Sequence, residues 1–200
     1  MKGSLVIIAF FVLGIVCALL HFIPMEIIHS ELSFIILACL MFTVGFSLGN
    51  DTEILKKCRS LNPRVALLPF MTIFGTLAGC VVVSFFLPHR SLFDCLAVGS
   101  GFGYYSLSSI FITHLKGAEL GTVALLANIM REILTLLSAP MLVKWFGKLA
   151  PISLGGATTM DTTLPIITRT SGQPFVIVSV FHGFIVDFSV PFLVTLFCYL

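Results

Sequence analysis

Three stretches of this chain, Leu5–Phe22, Leu32–Leu48 and Val65–Leu87, contain no Lys, Arg, Asp or Glu. Each is close to the ~20 apolar residues that a helix needs to cross a ~30 Å hydrocarbon core. A helix that is apolar all round must be buried in protein or in lipid, and three such runs in one short chain point to lipid. Composition agrees: 58% of the 200 residues are hydrophobic and 10% are charged, with a mean hydropathy of +1.12. Ordinary globular chains are ~45–50% apolar and ~25% charged. These values exclude a soluble enzyme, a nucleic-acid binder and a disordered chain, and they indicate an all-α integral membrane protein. A formal net charge of +2 implies no anionic partner, so the basic residues are read by position.

The first run ends at Ile23-Pro24, the second at Gly49-Asn50-Asp51 and the third at Pro88-His89-Arg90. Between the second and third lies the most basic stretch, with Lys56, Lys57, Arg59 and Arg64. A single Lys2 and the lack of a small-residue cleavage site argue against a removable signal peptide. The six cysteines are scattered singly with no Cys-x-x-Cys pair. They give no metal or redox motif, and no cofactor is expected.

The second half of the chain reads differently. Residues 92–115 are apolar at both ends, but their middle is Gly99-Ser100-Gly101-Phe102-Gly103-Tyr104-Tyr105-Ser106-Leu107-Ser108-Ser109. Each glycine weakens a helix by roughly 1 kcal/mol relative to alanine. Non-helical backbone at membrane depth survives only where protein buries it or water reaches it. A long helix is expected over Gly117–Lys144, followed by a second broken segment, 151–172, centred on Gly155-Gly156-Ala157-Thr158-Thr159-Met160-Asp161-Thr162-Thr163-Leu164-Pro165. Pro174–Leu200 is the last expected span. At an offset of 55 residues Gly101 falls on Gly156, Thr113 on Thr168, Gly117 on Gly172 and Glu132 on Asp187, which suggests a duplication. Broken segment, helix, broken segment, helix is a pattern with which transporters build a site at the bilayer midplane. The expected organisation is therefore three membrane helices over 1–91 and a transport core over 92–200.

If both broken segments are re-entrant hairpins, five true spans remain and the two units enter from opposite faces. The cytoplasmic side then receives eight basic residues (Lys2, Lys56, Lys57, Arg59, Arg64, Lys144, Lys148, Arg169), against Arg90 and Lys116 outside. If both segments cross fully, the division is seven to three. The positive-inside rule favours the hairpins by one charge and places the N-terminus inside and the C-terminus outside in either case.

Ionisable groups within the hydrocarbon region are costly, so each is a candidate functional group. Arg131 and Glu132 share a helical face with Asn128, either as part of a site or as a self-compensating patch. Asp161 lies at the second break among four threonines. It can bind an ammonium group, a coupling cation or a proton there, or cap the helix that resumes at Thr162. Ser106 and Ser108 at the first break and Thr159 and Thr162 at the second offer hydroxyls beside exposed helix ends. His182 is a candidate proton relay or a satisfied core histidine. Asp187, about 140° round the helix from it, is a weaker candidate.

These residues resemble the lysine exporter (LysO) family of bacterial inner membranes. The resemblance rests on Ser100–Ser108, on Asn128 with Arg131-Glu132, on Gly156–Pro165 with Arg169-Thr170, and on His182-Gly183-Phe184. It covers nearly the whole chain and is densest from Ala97 to Pro191. It implies export of L-lysine and of toxic lysine analogues from the cytoplasm, with Asp161 as the functional acid of the second break and Arg131-Glu132 as the family's Arg-Glu pair. Asp187 has no counterpart in that pattern. Members of the family carry a further N-terminal block of helices, so a second small membrane subunit supplying them is expected, or else a homo-oligomer.

The inside-negative potential opposes efflux of a cation by ~2.3 kcal/mol per charge per 100 mV, so export needs coupling to entry of H+ or Na+. No nucleotide-binding loop is present. Neither are the Gly-x-Gly-Asp and Gly-x-Ser-Gly motifs of intramembrane proteases, so an enzyme is not expected. A channel-like or non-transporting subunit of a larger complex is the alternative. Partners are lysine, the coupling ion and lipid, with no nucleic acid.

Overall fold

The computed structural model describes residues 63–200 and ten isolated positions between 13 and 46. The first two expected spans, apart from those positions, and the basic stretch up to residue 62 lie outside the described residues. The chain divides into two compact units, residues 1–47 and 48–200, and the candidate site lies wholly in the second.

The described residues of that unit are helical, with no strand among them. After one turn at Pro63–Ala66 comes α1, Leu68–Ser84, started by a proline in its first turn. Proline is tolerated there because the first N–H groups of a helix have no intrahelical partner. The first broken segment is α2, Leu92–Gly99, then a non-helical stretch, then α3, Tyr105–Lys116. Ser91 and Asp94 form a reciprocal capping box at the start of α2, satisfying two amide groups at once. The helix α4, Ala118–Phe146, follows directly. The second broken segment is α5, Ala150–Gly155, a tight turn at Gly156–Met160, and α6, Leu164–Ser171. A short turn at Gln173–Phe175 leads into α7, Val176–Tyr199. The spans 118–146 and 173–199 are each long and apolar enough to cross a bilayer.

Both expected breaks are present, and both broken segments fold back on themselves. Lys116, at the end of α3, lies 3.7 Å from Asp94 in the first turn of α2. Ser171, at the end of α6, donates to the carbonyl of Lys148 just before α5, at 2.8 Å. Each segment is therefore a helix–break–helix hairpin whose feet are tied together. The feet of the first hairpin also hold Arg90, which pairs with Glu119 at the start of α4. Cys198, near the end of α7, is within electrostatic reach of Lys116 and Asp94. The feet of the second hairpin sit by the start of α7, where Lys148 lies 5.7 Å from the ring centre of Phe175. So α4 leads from the first pair of feet to the second, and α7 leads back.

The tips meet between these ends. The N–H of Ala157 donates to the carbonyl of Phe102 at 2.9 Å, a backbone bond between two segments that are each denied their own helical partners. Gly156 allows this approach: its φ is +62°, and a Cβ there would collide with the Phe102 carbonyl oxygen. Phe102 itself has a φ of +45°, costly for a residue with a side chain, and its ring is completely buried.

Candidate functional site

A break in a helix leaves amide and carbonyl groups that water would normally satisfy, and in an apolar layer the protein must do so itself. Two side chains of α4 do this. Asn128 accepts from the N–H of Gly103 at 2.8 Å. Its own amide donates to the Ala124 and Val98 carbonyls, at 2.8 and 3.3 Å, and reaches the hydroxyl of Ser108 at 3.5 Å. That hydroxyl donates to the Tyr104 carbonyl at 2.8 Å. One asparagine thus holds both sides of the first break.

Arg131, one turn further along α4, does the same for the second. Its Nε donates to the Leu154 carbonyl at 2.8 Å, one terminal nitrogen to Ser153 at 3.2 Å and the other to the hydroxyl of Thr76 at 3.3 Å. These carbonyls end α5, where a cation opposes the negative end of the helix dipole. The guanidinium also lies 5.8 Å from the ring centre of Phe102, close enough for a cation–π contact with the first tip. Glu132 is half-buried and makes no hydrogen bond or ion pair with Arg131 or any other described residue. A self-compensating Arg–Glu patch is therefore not formed.

His182 is fully buried on α7. Its Nε2 is 2.9 Å from the hydroxyl of Thr72 and its Nδ1 is 3.3 Å from that of Thr159. Thr72 continues to Ser153 at 2.7 Å, and Thr159 lies within 2.9 Å of the Gly156 and Ser179 carbonyls. The polar line Ser153–Thr72–His182–Thr159 joins α5, α1, α7 and the second tip. Thr72, Thr76 and Ser153 are absent from the sequence-based set. Only the one-turn spacing of the two threonines beside Gly75 and Gly79 could have marked that face of α1.

Asp161 leaves the second tip on its exposed side, its carboxylate accepting from the N–H of Thr162 at 2.6 Å. The helix resumes at Leu164 with Thr163 before it, so Asp161 orders the turn rather than capping α6. Thr162 is exposed beside it, and Ser106 is exposed at the start of α3. Asp161 is within electrostatic reach of Asp187 and Tyr104. The structure thus groups Asn128 and Ser108 at the first tip and Arg131, Thr159 and His182 at the second. Asp161 and Thr162 stand on its open side.

Two cavities adjoin the tips. One of about 370 Å³ lies between α1, α2 and α4, with Asn128 and Arg131 at one end and Arg90 and Asp94 at the other. A wider one of about 840 Å³, toward Phe146 and Ala150, is lined by Thr72 and Ser153. They share Thr76, Ala127 and Arg131, so Arg131 stands where one ends and the other begins. Among the described residues no group of three His, Cys, Asp or Glu side chains could hold a metal ion.

Comparisons with known proteins place the chain in a family. A family model described as lysine exporter LysO matches residues 8–198. The lysine exporter LysO of Escherichia coli K12 is 35% identical over 168 residues, which cover 84% of this chain and 55% of that protein. A putative lysine exporter of Haemophilus influenzae is 33% identical over 162 residues, 81% of this chain and 82% of that protein. The chain spans about half the length of the E. coli relative. No solved structure matches. With a family match over almost its whole length and these two relatives beside it, the chain belongs to the lysine exporter LysO family of membrane transport proteins.

Proposed function

We propose that this protein is the transport core of a secondary exporter of L-lysine and toxic lysine analogues, driven by entry of protons or sodium ions across a bacterial inner membrane. The observation that carries the reading is the gathering of two non-helical tips between two membrane-length helices, with Asp161 and Glu132 left without a basic partner among the described residues. Lysine carries one carboxylate and two ammonium groups, so its site needs both signs of charge. Asp161 and Glu132 receive the ammonium groups. Broken-helix amide ends, with the hydroxyls of Ser106, Ser108, Thr159 and Thr162, receive the carboxylate. Arg131 and Asn128 hold the tips in place, and the charge of Arg131 adds a positive field beneath them. His182 locks the second tip to α1 and α7.

In this reading the hairpins are re-entrant and related as an inverted repeat. The glycines that follow the two hairpins support that relation: Gly117 has φ, ψ of 97°, 165° and Gly172 has 101°, 162°. The first 91 residues form three membrane helices, of which α1 lends Thr72 and Thr76 to the core over 92–200. The N-terminus is cytoplasmic and the C-terminus lies outside. The exposed polar residues Asp161, Thr162 and Ser106 require water or protein rather than lipid beside them, and a second small membrane subunit or another copy of this chain would shield the site they form.

The test is lysine efflux from dipeptide-loaded cells that lack their own exporter. Efflux is expected when the chain is expressed with its small membrane partner and is expected to fall at least tenfold in Asp161→Asn. Undiminished efflux in that variant removes Asp161 from the site. Full activity of the chain as a monomer removes the partner, and absence of efflux in every combination removes the exporter reading.

A further inference from the structure

Asp187 stands near the middle of α7 and is the single buried carboxylate among the described residues, 6% exposed. It makes no hydrogen bond and no ion pair with any described residue. Every sealed side-chain nitrogen or oxygen of the described residues does have a partner, so the unpartnered carboxylate of Asp187 is not sealed. The small exposure it keeps is at its oxygens.

Its electrostatic neighbours have one sign. The second tip brings Asp161 and the start of α3 brings Tyr104. Among the described residues no basic side chain forms an ion pair with it. The cations nearest the core are committed elsewhere, Arg131 to the end of α5 and Lys116 to Asp94. His182, on the same helix, is held between Thr72 and Thr159. A charged carboxylate stripped of donors is costly to bury, and a second carboxylate nearby adds repulsion. Adding one proton removes both costs. Among the described residues no group of three His, Cys, Asp or Glu side chains stands there to hold a metal ion instead.

We propose that Asp187, a buried carboxylate on α7 with no partner among the described residues, is the group that binds and releases the coupling proton of the exporter. The proposal rests on the exporter reading for the word coupling, while the proton site itself does not. Its step is simple: the carboxylate takes H+ from water on one side to become the neutral acid, and returns it to water on the other. With Asp187 neutral, Asp161 alone carries charge. With Asp187 ionised, the pair is tolerable only when a cation lies between its members, and the ammonium group of lysine is such a cation. Proton and lysine therefore displace one another, which is the condition for exchange rather than co-transport. At the 55-residue offset of the suggested duplication Asp187 falls on Glu132 in the other long helix, which is also without a partner among the described residues.

Two measurements on the purified full-length protein test this. Infrared difference spectra across a pH titration are expected to show the C=O stretch of a protonated carboxylic acid, lost in Asp187→Asn and shifted in Asp187→Glu. Lysine binding is expected to release about one proton and to weaken as pH falls, by up to about tenfold per pH unit. In Asp187→Asn, binding becomes weaker, independent of pH and without proton release, and Asp187→Glu restores the release. A wild-type protein with no such band, or a band unchanged in Asp187→Asn, overturns the proton site. Proton release that persists in Asp187→Asn overturns the coupling. If the wild-type protein binds no lysine, the exporter reading fails while the infrared band still decides the role of Asp187.

Discussion

Asn128 and Arg131 show what a polar side chain in an apolar helix is for when it does not touch substrate. Each supplies the partners that a broken helix has lost. Replacing Asn128 by Leu keeps the volume but orphans the N–H of Gly103, which it meets at 2.8 Å. A buried donor left unsatisfied costs about 1–3 kcal/mol, so the thermal midpoint in detergent is expected to fall measurably, and Asn128→Gln to recover part of it. For Arg131 the distinction is geometric. Arg131→Lys keeps the charge but cannot reach the Leu154 and Ser153 carbonyls and Thr76 together, because lysine has one nitrogen where arginine has a planar fork. Efflux is expected to drop at least tenfold in this variant, with lysine affinity changed less than turnover. An equal loss of affinity would place Arg131 directly on the substrate carboxylate. The sequence marks both residues as costly in lipid, but it does not show which role each has. A buried arginine costs the same to desolvate whether it meets a substrate or a carbonyl, and the choice depends on contacts 22 to 55 residues away.

At the scale of elements, the two breaks are legible because their cause is local: runs of glycine, serine and threonine inside otherwise apolar segments. Their closure into hairpins is not local. It shows in the approach of Asp94 to Lys116 and of Lys148 to Ser171, and counting basic residues on each side separated hairpin from crossing helix by one charge. Contact between the tips is further from the sequence still, since it is a backbone bond between residues of ordinary type, Phe102 and Ala157. The residue that permits it offers the test. Gly156→Ala places a methyl group against the Phe102 carbonyl and imposes a positive φ on a residue with a Cβ, which is worth at least about 1 kcal/mol of backbone strain alone. The tips must then separate. Lysine efflux is expected to be lost while α4 and α7, which do not depend on this contact, keep the protein in the membrane at near wild-type amount. Efflux within twofold of wild type would mean that the tips work apart. By contrast, Lys116→Gln at the feet of the first hairpin removes a half-exposed pair worth about 0–1 kcal/mol and is expected to leave efflux near normal.

For the whole molecule, the decisive property is that the feet of the two hairpins sit at opposite ends of α4. That helix has 29 residues, and at 1.5 Å per residue it extends about 43 Å, more than the ~30 Å of a hydrocarbon core. The foot at Lys116 and the foot at Lys148 must therefore emerge on different sides of the membrane if α4 crosses it once. In the proposed orientation Lys148 is cytoplasmic and Lys116 lies outside. In a cysteine-free background, Lys116→Cys is expected to react with a membrane-impermeant thiol reagent in intact cells. Lys148→Cys is expected to react only after permeabilisation. Cysteines placed at Arg169, in the last turn of α6, are expected to follow Lys148 if, as proposed, the second hairpin returns to the side from which it entered. If Arg169→Cys labels with Lys116→Cys instead, the second segment crosses, α7 runs the other way, and Asp161 and Asp187 can no longer share one site. Sidedness of a single residue thus decides the inverted arrangement, and with it whether one proton and one lysine can compete for the same pair of carboxylates.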